Sequence, residues 1–136
     1  MFLNLLTNEE KHHFLSLAAL AANINGSLAE EEEELINSYR REMNLSAESV
    51  AIDSDHSEES VFGFFAASEK SHKKIVLFEV VGLLTCDSSF DDDERSFVCR
   101  LSQAIGLSAD ETDTISQLAL RYFDVVVEIA SSIFTQ

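Results

Sequence analysis

Proline and tryptophan are absent from this chain of 136 residues, and glycine occurs only four times, at positions 26, 63, 82 and 106. Without proline, no helix is interrupted by ring clash or a missing N–H. With so little glycine there is no glycine-rich phosphate loop, and period-2 alternation of the strand type is hard to find anywhere. Cysteine is scarce too: Cys86 and Cys99 make neither a disulfide framework nor a Cys-x-x-Cys pair, and both are expected to be small core hydrophobes. Positive charge is the other shortage, with 9 Lys and Arg against 25 Asp and Glu and a net charge of −16. Such a field repels phosphate backbones and anionic lipid, which argues against nucleic acid and membrane surfaces as partners, and it attracts divalent cations and basic proteins. No apolar run approaches the roughly 18 to 20 residues of a membrane span. Even the run from Ile75 to Leu84 contains Glu79. The opening Met1-Phe2-Leu3-Asn4-Leu5-Leu6 lacks a basic n-region and meets Glu9 and Glu10 too soon for a secretory signal, so an intracellular, cytoplasmic protein is expected.

What the chain does contain is helix, written twice. Hydrophobic residues make up 46%, enough for a core in one domain spanning residues 1–136. Thr7-x-x-Glu10, Ser27-x-x-Glu30 and Ser108-x-x-Glu111 read as capping boxes, and Ser89-x-x-Asp92 as a weaker relative. The stretch 14–46 returns without a gap as 76–108, at a constant offset of 62, so that Leu35, Ile36, Tyr39 and Met43 correspond to Phe97, Val98, Leu101 and Ile105. Asn44 and Gly106 stand at matching helix stops, and both residue types tolerate the left-handed conformation that ends a helix. Leu28 and Phe90 are placed to act as hydrophobic staples in the turns. Between the copies, Ser46 to Val50 reads as a short helix and Val61 to Ser68 as a buried helical segment. Ala109 to Phe134 reads as one long helix with a stripe through Ile115, Leu118, Tyr122, Val126, Ile129 and Ile133. The expected architecture is all-α: two pseudo-repeated αα-hairpins plus flanking helices in a bundle.

Each copy sets acidic residues at its interhelical turn, Asn25 through Glu32 in the first and Asp87 through Glu94 in the second. Hard oxygen ligands gathered in this way suit Ca²⁺ or Mg²⁺. Asp87-x-Ser89-x-Asp91 begins like an EF-hand loop, but Asp92 occupies the glycine position and Val98 the bidentate glutamate position, which rejects that motif. The same residues also have a purely structural use, because carboxylates at helix N-termini favour the helix dipole and cap free N–H groups.

The run Ala22-Asn23-Ile24-Asn25-Gly26-Ser27-Leu28-Ala29-Glu30-Glu31-Glu32, with Asp87 to Glu94 and Ile105-Gly106-Leu107-Ser108 downstream, resembles the tellurite-resistance TerB-like domain family. The resemblance covers most of the chain. It implies a TerB-like helical bundle, a stress-response or interaction role without enzymatic activity, and a divalent cation at paired acidic turns. The implied ligands are Asp87 and Glu94, with Asn25 and Glu32 as weaker counterparts and Asp91 to Asp93 as auxiliary charge. Asn25 stands where the family has aspartate, which keeps one neutral oxygen and removes a charge.

Two alternatives accompany that expectation. One is a metal-free protein-binding domain whose acidic face docks a basic partner. The other, less favoured, is a di-iron carboxylate oxidoreductase built on Glu9-x-x-His12, Glu10-x-x-His13 and Glu69-x-x-His72. These motifs fall at a helix start and a polar junction rather than in the apolar middle of long helices, so their histidines are expected at the surface. Neither cysteine has a histidine near it in sequence to make a nucleophilic pair.

Overall fold

A computed structural model describes residues 2–24, 30–44, 57–85 and 91–134, with 30–33 and 35 described in backbone only. Among the described residues the chain is all-helical. A 3-10 turn at Leu3–Leu5 leads into α1 (Asn8–Ala22), α2 (Glu30–Glu42), α3 (Glu58–Ala66), α4 (Lys70–Thr85), α5 (Asp92–Ile105) and α6 (Ala109–Phe134). The starts of α1 and α4, Asn8 and Lys70, are 62 residues apart, as are those of α2 and α5, Glu30 and Asp92.

The two central helices are α1 and α4, which pack on each other. Both are apolar around most of their circumference. Phe14, Leu15, Leu17, Ala18, Ala21 and Ala22 are buried on α1, and Val76, Leu77, Val80, Val81, Leu83 and Leu84 on α4. A helix buried on nearly every side belongs at a bundle's centre. Each fully buried Phe, Leu or Val contributes about 1.5–3 kcal/mol relative to exposure. Around this pair, α2 and α3 lie against α1, and α5 and α6 against α4. Edge-to-face rings tie the layers together, Phe14 with Tyr39 at 5.3 Å and Phe62 with Phe97 at 5.5 Å.

The N-terminal segment is strapped across the bundle. Leu3 and Leu6 enter the core, while Phe2 N–H donates to Glu79 Oε1 at 3.2 Å and Leu3 N–H to Glu42 Oε2 at 3.1 Å. Glu79, buried in the middle of α4, accepts a backbone donor there, and the Tyr39 hydroxyl donates to its main-chain carbonyl at 3.2 Å. Buried polar groups are tolerated where such bonds are made.

The last helix runs parallel to α4, since Lys70 pairs with Glu111 at 2.8 Å and Phe78 stacks near Tyr122 and Phe123. Phe123 then fills the notch at Gly82, where an added Cβ would run into its ring. At 1.5 Å per residue α6 is about 39 Å long and α4 about 24 Å, so the C-terminal end of α6 extends past its partner. Leu118, Val126, Ile129 and Ile133 of the expected stripe are exposed, whereas Ile115 and Tyr122 are half-buried. Among the described residues no helix is long and apolar enough to cross a membrane.

Three local expectations change. The α5 cap is Asp91 with Glu94, whose side chain reaches back to the cap N–H, so Asp92 is the first residue of the helix and not the third position of a cap begun at Ser89, which lies outside the described residues. Cys99 is exposed, since the buried row of α5 runs through Phe97, Val98, Leu101 and Ile105 and leaves position 99 on the outer face. His72 is inward rather than at the surface, as described below. The readings placed on Ser27, Leu28, Ser46 to Val50, Cys86 and Phe90 fall outside the described residues.

Candidate functional site

At the second acidic turn the side chains are engaged in ending a helix. Asp91 Oδ1 accepts from Glu94 N–H at 2.8 Å, and Glu94 Oε1 accepts from Asp91 N–H at 3.1 Å. Glu94 is buried by this arrangement, while Asp91, Asp92 and Asp93 are exposed. Asn25 and Asp87 lie outside the described residues, and Glu32 is on the first turns of α2 with its side chain outside them. Of the six expected ligands, therefore, the structure brings Asp91 and Glu94 together, as a reciprocal cap, and sets Asp93 on the adjacent surface. Among the described residues no three His, Cys, Asp or Glu side chains stand close enough to hold a metal ion.

A second carboxylate cluster forms where α1 meets α4. Thr7 caps α1, accepting from Glu10 N–H at 3.2 Å, and Glu10 Oε1 accepts from Thr7 N–H at 2.8 Å. The same Glu10 oxygen lies 2.7 Å from His72 Nδ1. An ionised carboxylate only accepts, which puts the bonding hydrogen on Nδ1 and leaves Nε2 as the ring's remaining nitrogen. Burial is the largest single influence on Glu10 and pushes its pKa up. The hydrogen bonds from Thr7, Ser68 and His72, helped by the charge of His72, outweigh that and hold the carboxyl below its usual value.

The pair borders a cavity of about 390 Å³, walled by Gly63, Phe64 and Ala67 of the α3 end and by Ser68 and Glu69. His13 does not join it; its ring stacks on Phe64 at 3.6 Å and its Nδ1 bonds Glu9 carbonyl. The Glu-x-x-His motifs thus cross over, Glu10 of one meeting His72 of another. Their spacing within each motif held no hint of this pairing, which depends on how α1 and α4 cross.

A wider groove of about 510 Å³ separates α5 from the start of α6 and is lined by Arg95, Val98, Cys99, Leu107, Thr112 and Asp113 among others. The Ser102 and Thr112 hydroxyls bond to each other across it. No protein-family model, curated protein or solved structure matches the chain.

Proposed function

We propose that this chain is a non-enzymatic, cytoplasmic protein-interaction module of TerB-like build, whose acidic helix starts dock a basic partner. One observation carries the reading: Asp91 and Glu94 spend their near oxygens on capping α5, while Asp91, Asp92 and Asp93 are together exposed beside that helix start. The net charge of −16 supports a cationic partner and disfavours a polyanion. Matching helix starts 62 residues apart support the repeat-built TerB-like architecture, and with it the stress-response setting that the resemblance implies.

The test is binding of a lysine-rich peptide by the full chain. Attraction by exposed carboxylates weakens as salt rises and persists in chelator. Asp92→Asn with Asp93→Asn, or glutamine at all of Glu30 to Glu34, is expected to abolish it. Binding that ignores salt and these substitutions refutes the acidic-face reading. The second reading, a divalent cation held by Asp87, Glu94, Asn25, Glu32, Asp91 and Asp93, draws support from the resemblance and from the hard oxygen donors that both turns carry in sequence. Calorimetric titration with Ca²⁺, Mg²⁺, Mn²⁺ and Zn²⁺ decides it: no binding tighter than about millimolar, the weak end for calcium modules, ends that reading.

A further inference from the structure

On α6 the face turned to α4 is marked by buried Ala119 and by Phe123 in the Gly82 notch. A second apolar row lies about a quarter-turn away. Leu118, Val125 and Ile129 in that row are 46%, 49% and 52% exposed, with half-buried Tyr122 between them. The spacing 118, 122, 125, 129 alternates four and three, the a/d rhythm of a two-helix coiled coil. In that register Arg121 and Glu128 occupy one flank, and Ala119, Val126 and Ile133 the other. Arg121 is the sole cation on α6, and neither it nor Glu128 has an ion pair among the described residues.

We infer that α6 pairs antiparallel with α6 of a second copy of this chain. Across the two-fold axis Leu118 stacks on Ile129 and Tyr122 on Val125, and each Arg121 comes beside the other copy's Glu128. The contact is self-complementary, as a two-fold interface must be. A parallel pair would set Arg121 against Val126 and Glu128 against Ile133, leaving both charges without a counter-charge. Charge therefore selects both the partner and the direction. The end of α6 that extends past α4, with Ile133 exposed on the flank of the row, is then covered by the first half of the other copy's α6. A single helix pair lies at the small end of stable interfaces, where about 800 Å² per partner is standard, so the dimer is micromolar.

Sedimentation equilibrium on the full chain tests this at about 0.3 M salt, which screens the long-range repulsion between two acidic copies. A monomer–dimer equilibrium is expected below about 100 µM. R121E and E128R each weaken it about tenfold or more, since each replaces two attractions with two repulsions. The double exchange R121E/E128R restores it to within about threefold, because the pairs re-form with charges reversed. I129E abolishes the dimer, and all variants keep the helical circular dichroism of the parent because these positions are exposed. A monomer at about 500 µM overturns the inference. So does a dimer indifferent to I129E, a double exchange that fails to restore pairing, or a monomer that sediments with neutral lipid vesicles through this row.

Discussion

A carboxylate withdrawn from water is costly unless its lone pairs are filled, and Glu10 fills them with Thr7 N–H, the Ser68 hydroxyl and His72 Nδ1. Each change weakens the set, Glu10→Gln by removing the charge from the accepting oxygen and His72→Ala by removing one of its donors, so each is expected to cost about 1–3 kcal/mol in urea unfolding. Glu111 carries a related signal at the surface. Hydrogen bonds from the Lys70 ammonium and the Ser108 N–H pull its pKa from 4.5 down to about 2. Both carboxyls are depressed in the folded chain. The stability they supply is therefore complete above the ordinary carboxylate range and drains away as pH falls below it, for Glu111 toward about 2. Glu111→Gln should flatten the acid side of a Tm-against-pH curve measured between those limits, and an unchanged curve would refute the assignment. Gly82 tolerates little, because a methyl there would run into the Phe123 ring. Gly82→Ala is expected to destabilise by about 1–3 kcal/mol through overpacking, measured as a shift in the urea midpoint.

Helix boundaries carry the next set of consequences. Gly106 ends α5 at φ 84° and Asn44 follows α2 at φ 58°, the left-handed stops anticipated from residue type. Gly106→Ala should cost about 1 kcal/mol in thermal or urea unfolding, since a Cβ is strained in that conformation. Asp91→Ala, which removes the N-cap of α5, should cost a similar amount of about 1 kcal/mol. These features were legible from sequence because they are local: Thr7 with Glu10 and Ser108 with Glu111 form the boxes their spacing announces. Asp92 was misread as the third position of a cap because three successive aspartates offer the same spacing in more than one phase, and it is the first residue of α5. Cys99 was misread because burial on an amphipathic helix depends on phase, and one residue past Val98 is enough to reach solvent. The Glu10–His72 contact was beyond reach for another reason: 62 residues separate the partners, and only the packing of α1 on α4 joins them. The stripe on α6 was half right, since apolar spacing alone does not separate a row facing α4 from a row facing outward.

At the scale of the molecule, a charge of −16 on one chain means that folding compacts like charges as well as apolar groups. Moderate salt should raise Tm by screening that repulsion, even though it weakens single ion pairs such as Glu58 with Arg100. A Tm that falls steadily with added salt would mean that specific pairs outweigh the net field. The reach of α6 beyond α4 also divides one continuous helix into two regimes of backbone protection. Amides up to the Phe123 notch are released only when α6 lifts from α4, whereas those nearer Phe134 open by fraying and exchange with deuterium on a much shorter timescale. That gradient serves as a footprint: a contact that covers the outer turns slows their exchange selectively, and the residue where the slowing stops marks the edge of whatever has docked.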